Sequence, residues 1–201
     1  MNQYDNNGDG KRVWVIDMET FGLNYLDDPV LEIGISIRDL NWNEIDSFHV
    51  LVWDSYYDLL LEEHEENKTF VFDMHTKSGL FHDAWERGVT SEEASTKMAT
   101  WISGHGVNPK EDYLLGSSVH FDATMLHFNF PDIRSQFHHR LIDISSLKVM
   151  VEMWFPNLSV RLKEDVSPRK AHRVLLDIED TVEEARWYMD NVMPEGDEIN
   201  A

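Results

Sequence analysis

Apolar and polar positions along this 201-residue chain change their period partway, from strand-like runs to the three-and-four spacing of helices. Strand-like runs come first, at about 12–17, 30–38 and 45–53, and turn-rich residues between the second and third predict an antiparallel meander. Helical spacing then begins at a capping box formed by Thr90 and Glu93. The first half of the chain therefore predicts a small sheet followed by a helix.

The second half alternates between short strands and helices. Strands near 113–117 and 140–143 lead into helices from about 122 and over 145–154, the latter ended by Pro156, and a further helix runs from about 172 to 191. The predicted order is βββ followed by αβαβα. It indicates a mixed α/β sheet with helices against its faces.

Composition limits the class of protein. The length and a hydrophobic content of 42% favour one domain, which we place at 11–193 between loose tails at 1–10 and 194–201. No apolar run approaches the ~20 residues of a membrane-spanning helix, and the first ten residues lack the apolar segment of a secretory signal. We expect a cytoplasmic protein, and the absence of Cys fits a reducing compartment.

Net charge restricts the partners. With 38 acidic and 17 basic residues, the formal net charge is −21, which would repel a long nucleic-acid backbone. Most of this charge fits a solvated acidic surface. A small phosphate-bearing substrate remains possible if bound cations reverse the local charge.

The first strand ends in two acids within the segment VWVIDMETFGL, residues 13–23. Because side chains alternate along a strand, Asp17 and Glu19 should project from the same face. Either Mg²⁺ or Mn²⁺ binds between them, or one acid caps a turn at Gly22 while the other meets a Lys or Arg.

Two more segments supply similar side chains. Asp122 follows the strand at 113–117, where it could equally be an ordinary acid at a helix N-terminus. His172 precedes Asp177 by five residues, a spacing that puts them on different faces of a continuous helix. Both can reach one cleft if His172 lies at the frayed start of the helix or in the preceding loop. Four acids and one histidine from three element ends form a far more specific set than any member alone.

The motifs that carry these residues are DMETFGL, GSSVHFD and HRVLLD. In this order they resemble the three exonuclease motifs of the DEDD superfamily in its histidine-bearing (DEDDh) branch. The segments HTKSGL, RLIDISSLK and WFP extend the likeness to the oligoribonuclease family over most of residues 12–190. The resemblance implies a ribonuclease H-like fold: a mixed five-stranded sheet, with a three-strand antiparallel meander and two parallel strands, flanked by helices.

The resemblance also implies an activity. A metal-dependent 3′→5′ exoribonuclease of this family degrades short oligoribonucleotides, from dinucleotides to a few nucleotides, to 5′-mononucleotides. Two Mg²⁺ or Mn²⁺ ions would be held by the four acids, with His172 as general base; the acids are Asp17, Glu19, Asp122 and Asp177. By the same analogy we expect a homodimer that binds neither a membrane nor long double-stranded nucleic acid.

Substrate contacts follow from the resemblance as well. Leu23 would stack against a base, and His75 would contribute from a partner subunit. The cap on the terminal 5′ phosphate would consist of Ser118, Arg140 and Ser145.

The chain departs from the family at several positions that surround the metal acids. It has Phe21 where the family usually has Thr, Phe70 as the nearest match to the usual Trp wedge, and His139 where Tyr is usual. These changes leave the strictness of the dinucleotide preference open, and nothing identified in the sequence requires a 2′-hydroxyl. A broader single-strand DNA or RNA exonuclease is therefore one alternative, and a nucleotide-binding module without turnover is another.

Overall fold

The computed structural model describes residues 11–67, 69–169 and 171–192. Within them lies one five-stranded sheet of order β3-β2-β1-β4-β5. The first three strands pair antiparallel, whereas β4 runs parallel to both β1 and β5. The strands are β1 (Arg12–Thr20), β2 (Val30–Asp39), β3 (Glu44–Leu51), β4 (Tyr113–Gly116) and β5 (Leu141–Asp143). This arrangement confirms the predicted meander and the two added parallel strands.

Helices pack on both faces of the sheet and fill the connections. They are α1 (Tyr57–Asn67), α2 (Phe70–Ser78), α3 (Leu80–Arg87), α4 (Ser91–His105), α5 (His120–Asn129), α6 (Pro131–Arg134), α7 (Ile144–Trp154), α8 (Pro156–Asp165) and α9 (Val174–Asn191). Helix α4 begins at the predicted capping box, in which the Thr90 side chain accepts from the Glu93 backbone and the Glu93 side chain accepts from the Thr90 backbone.

The core has two layers, one on each face of β1. Trp14, Ile16 and Met18 pack with the layer that includes residues of α3, α4 and α5, whereas Val15 packs with residues of α7, α8 and α9. Because side chains alternate, Asp17 and Glu19 lie on the same face as Val15. The α9 face is therefore the face on which the two acids of β1 must find partners.

The structure contains helices that the sequence pattern did not predict. Three helices, α1 to α3, occupy residues 57–87, for which no element was predicted. Pro156 follows the end of α7 as predicted, but it also begins α8, because proline fits the first turn of a helix. Helix α9 starts at Val174, so His172 lies in the loop before it.

The tails predicted at 1–10 and 194–201 lie outside the described residues. Among the described residues, no helix combines the length and the apolar character needed to cross a bilayer.

Candidate active site

The candidate site lies at the carboxyl end of β1, the central strand of the sheet. Asp17 pairs with Gly34 of β2 and Glu19 pairs with Glu32 of β2, after which a register shift between Glu19 and Thr20 ends the regular ladder. The two acids therefore lie where β1 leaves the sheet.

Two helix N-termini bring the remaining acids to this point. Asp122 lies in the first turn of α5 and is buried, and Asp177 lies in the first turn of α9. A carboxylate in the first turn of a helix is favoured by the helix dipole. Ligand atoms of Glu19, His172 and Asp177 all lie within 4.8 Å of one another. Two distant segments, β1 and the start of α9, thus meet in one cluster, and Asp122 of α5 lines the same cleft as Asp17.

Burial and mutual repulsion raise the pKa values of the two acids of β1. Burial, followed by the charges of Asp177 and Glu32, raises the pKa of Asp17 from 3.8 to about 8. Burial, followed by the charges of Asp17, Asp177 and Glu32, raises the pKa of Glu19 from 4.5 to about 9. Without added positive charge, these carboxyls would hold protons at neutral pH.

The pKa values of the other two acids, Asp122 and Asp177, are raised as well. Burial raises the pKa of Asp122 well above its usual value, and the charges of Asp17 and Glu19 add to this effect. Burial also raises the pKa of Asp177, while a backbone hydrogen bond from Arg173 and the charge of His172 oppose the increase. Four converging oxygen-donor side chains with an excess of negative charge fit hard divalent cations, which would offset that charge.

His172 has an unusual backbone conformation. Its φ is 50°, in the left-handed region that residues other than Gly rarely adopt. This turn reverses the chain just before α9, so the imidazole reaches Glu19 and Asp177 although it could not share a helical face with Asp177. Because α9 starts at Val174, His172 occupies the loop, which is one of the two positions that the sequence allows.

A cleft of about 390 Å³ opens beside the acids. It is lined by Asp17, Leu23, Ser118 and Asp122, among others, and Leu23 is 81% exposed at its edge. The hydroxyls of Ser117 and Ser118 lie 3.0 and 3.1 Å from the hydroxyl of Ser145. The structure therefore brings Ser118 and Ser145 together as the sequence predicts, and it adds Ser117.

The backbone around these hydroxyls is held by Asp143. Its carboxylate accepts hydrogen bonds from the backbone N–H groups of Ser118 and Ser145, each at 3.0 Å. Arg140 lies on the segment that leads into β5, with its backbone N–H donating to His138 Nδ1 at 2.9 Å. Arg140 is exposed and immediately precedes β5.

The predicted role of His75 at a partner's site is wrong for this chain. His75 is fully buried, its Nε2 lies 3.0 Å from the carbonyl oxygen of Thr20, and it lies 3.7 Å from Glu19 Oε2. Burial lowers its pKa to about 4. A side chain enclosed behind the acids of its own chain cannot reach a substrate held by another subunit.

Sequence reasoning missed Glu32 and Arg173. Glu32 is 1% exposed, and Arg173 donates to it from Nε and from Nη2, the latter at 3.1 Å. Burial alone would raise the pKa of Glu32, but hydrogen bonds from His49 and Arg173 lower it below its usual value. The signal in the sequence was a single acid inside the apolar run VLEIGISI, where an unpaired charge is not tolerated.

This fold and this cluster of acids define a class: 3′→5′ exonucleases of ribonuclease H-like architecture. The chain matches the exonuclease family RNase T over residues 14–185 and belongs to that family. The predicted family resemblance is therefore confirmed.

Individual relatives have names that agree with this family. The chain is 32% identical over 183 residues to a probable oligoribonuclease of Dictyostelium discoideum, covering 89% of this chain and 88% of the relative. It is 30% identical over 185 residues to an oligoribonuclease of Streptomyces griseus, covering 90% and 86%.

Among solved structures, E. coli exonuclease I in complex with a dT13 oligonucleotide has a similar fold. The TM-score is 0.61 at 16% identity, over 89% of this chain and 41% of that protein. The chain thus corresponds to less than half the length of that exonuclease, and the similarity concerns the fold.

Proposed function

We propose that this protein is a metal-dependent 3′→5′ exoribonuclease that degrades oligoribonucleotides of two to a few residues to 5′-mononucleotides. The observation that carries the proposal is the cluster at the end of β1, where buried acids from three segments repel one another beside His172. No structural need explains why four acids with raised pKa values meet at one place. A site for two Mg²⁺ or Mn²⁺ ions does.

Each side chain of the cluster has a role in this proposal. The metal ligands would be Asp17, Glu19, Asp122 and Asp177. When bound, the ions would supply Lewis-acid stabilisation of the scissile phosphate and of charge on the leaving 3′-oxygen. His172 would accept the proton of the attacking water on an imidazole nitrogen, because its turn places the imidazole next to Glu19 and Asp177.

Recognition of a short substrate rests on the cleft next to these acids. Leu23 offers an exposed apolar side chain for a terminal base. The hydroxyls of Ser118 and Ser145, held by Asp143 through the backbone, would donate to the terminal 5′ phosphate, and Arg140 would add positive charge. A cap of this kind suits a protein of net charge −21, because it needs no extended basic track.

We also propose that two copies of the chain associate in the cytoplasm. Helix α7 and the residue that follows it expose Met150, Met153, Trp154 and Phe155, each at least half exposed. A continuous apolar surface of this kind is typical of a protein–protein interface. Size-exclusion chromatography with light scattering should give a mass near twice 23.6 kDa, and a monomer at micromolar concentration would contradict this part of the proposal.

A second candidate is an exonuclease that accepts longer single strands. A groove of about 910 Å³ adjoins the cleft at His120, which lines both, and the buried position of His75 removes one predicted substrate contact. The groove leaves room for a strand that continues beyond two nucleotides. This alternative retains the same catalytic residues and changes only the length of the substrate.

The test compares a 5′-labelled diribonucleotide with a single strand of about twenty nucleotides, each incubated with Mn²⁺ or with EDTA. The proposal expects Mn²⁺-dependent release of mononucleotide and a higher kcat/KM for the dinucleotide. Preference for the longer strand would select the second candidate. The Asp17→Asn variant at the same concentration serves as the blank. If neither substrate gave metal-dependent release of mononucleotide above this blank, the enzyme proposal would be refuted.

A further inference from the structure

Glu32 carries a buried charge beside the candidate active site without being one of its predicted metal ligands. It pairs with Glu19 across β1 and β2, and its side chain is 2% exposed. Four donors satisfy it: His49 Nε2 at 2.7 Å from Oε1, Arg173 Nε and Nη2, and the backbone N–H of Val174 at 3.3 Å from Oε2. A fully satisfied buried carboxylate fixes the groups that surround it.

Arg173 is the centre of this arrangement. Besides its bonds to Glu32, its Nη1 donates to Asp83 Oδ2 at 2.7 Å, and Asp83 also accepts from Arg87 Nη2 at 2.7 Å. The guanidinium thus bridges strand β2 and helix α3. Because guanidinium geometry is planar and rigid, two carboxylates on different elements determine its orientation closely.

The same residue lies between the proposed base and a proposed metal ligand. His172 immediately precedes it, with a φ of 50°, and the backbone N–H of Arg173 donates to Asp177 Oδ2 at 2.9 Å. A left-handed turn at a residue other than Gly persists only where surrounding contacts impose it. The side chain of Arg173 supplies such contacts one residue away.

Close packing against Gly34 holds Val174, the residue that follows Arg173. A Cβ at Gly34 would lie 2.8 Å from Val174 Cγ2, so the start of α9 approaches β2 more closely than any side chain at position 34 would permit. Gly34 lies two residues after Glu32, on the same face of β2. The start of α9 is therefore attached to β2 at two adjacent points, one ionic and one apolar.

We propose that Glu32 and Arg173 are positioning residues that act through the turn at His172. By bonding Arg173 and the Val174 N–H, Glu32 fixes the turn that points the His172 imidazole and the Asp177 carboxylate toward Glu19. Neither Glu32 nor Arg173 contacts substrate in this inference, which rests on the proposed function for the role of His172. Its structural part, the immobilisation of the turn, is independent of any activity.

The catalytic test is a double-mutant cycle between positions 173 and 172. Arg173→Met should lower kcat by about 10–100-fold, as loss of an outer contact does at metal sites, while KM changes by less than about threefold. In a His172→Ala background, Arg173→Met should lower kcat by less than about threefold, because the imidazole that Arg173 positions is already absent. Arg173→Lys should recover part of kcat, since it keeps the charge and loses the fork.

Two controls distinguish a loss of positioning from a general loss of folding: a double variant and a substitution of another arginine. Arg173→Met leaves Glu32 buried without its main partner, so Glu32→Gln combined with Arg173→Met removes both charges and should restore Tm without restoring kcat. Arg169→Met is the matched control. Arg169 also binds a carboxylate of α9, Asp180 at 2.7 Å, but it lies three residues before His172. It should lower Tm with less than a twofold effect on kcat.

A readout in the metal-free protein separates this inference from the proposed function. Hydrogen–deuterium exchange of the peptide that spans residues 171–177 should accelerate at least tenfold in the Arg173→Met and double variants, and not in Arg169→Met. Unchanged exchange, or equal losses of kcat in the presence and absence of His172, would overturn the positioning role. If the wild-type protein showed no nuclease activity at all, the exchange experiment would still decide whether Glu32 and Arg173 hold the turn.

Discussion

Removing divalent cations should make the stability of this protein fall as pH rises from 7 to 8. In the folded, metal-free chain, Asp17 and Glu19 have pKa values of about 8 and 9, whereas their unperturbed values are 3.8 and 4.5. The folded state therefore binds protons that the unfolded state has already released. Stability must decrease with pH over any interval in which that difference persists.

The magnitude follows from the number of extra protons. Each proton bound only by the folded state changes the free energy of unfolding by about 1.4 kcal/mol per pH unit. One to two such protons give a loss of about 1.4–2.7 kcal/mol between pH 7 and 8, or about 3–10 °C in Tm for a domain of this size. His75 contributes little, because with a folded pKa of about 4 and an ordinary value of 6.5 it is mostly neutral in both states above pH 7.

The assay is thermal unfolding followed by circular dichroism in EDTA and in 10 mM Mg²⁺ across this pH interval. Mg²⁺ should raise Tm more at pH 8 than at pH 7, because it replaces the protons that the acids lose. Combining Asp17→Asn with Glu19→Gln should weaken the dependence on pH without removing it, because burial still raises the pKa values of Asp122 and Asp177. Glu86→Gln, at an exposed position, should leave it unchanged. A Tm in EDTA that stays constant or rises between pH 7 and 8 would refute the reasoning.

Three further substitutions test separate parts of the structure. Asp122→Asn should abolish turnover yet raise Tm in EDTA, because it removes one of several repelling buried acids. Gly34→Val should lower kcat at least tenfold by displacing Val174 and the start of α9, measured with the dinucleotide substrate. Thr90→Ala should cost about 1 kcal/mol of stability in urea unfolding through loss of the α4 cap, with kcat unchanged.

Each of these has a specific contrary outcome. A fall in Tm of Asp122→Asn in EDTA would mean that the acid stabilises the fold. Wild-type kcat in Gly34→Val would mean that the close approach of α9 does not matter for the site. A kcat loss in Thr90→Ala would show that α4 is coupled to the proposed metal ligands.

The sequence was most informative where structure is determined locally. The alternation in β1 put Asp17 and Glu19 on one face, and the spacing from Thr90 to Glu93 located the start of α4 to the residue. The five-residue interval from His172 to Asp177 indicated that His172 lies at or before the start of the helix, and the structure has it in the loop before α9. In each case the physical rule involves residues a few positions apart.

Predictions failed where the deciding contacts are distant in sequence. Nothing near His75 in the sequence indicates that it is buried. Its burial depends on its contact with the carbonyl oxygen of Thr20, which is 55 residues away. Glu32 reads as one acid in an apolar strand until Arg173, 141 residues away, is seen to neutralise it. The helices at 57–87 were missed because α1 is rich in acids and has no clear apolar face.

The position of α9 has a consequence for how the molecule is made. Strands β1 and β4 and helix α5, with three of the four acids, leave the ribosome well before residues 172–177, which bring the imidazole and the fourth acid. An unfinished chain can thus assemble most of its sheet while it lacks the two groups that complete the centre. The proposed hydrolysis of short oligoribonucleotides would therefore begin only after translation has passed the start of α9.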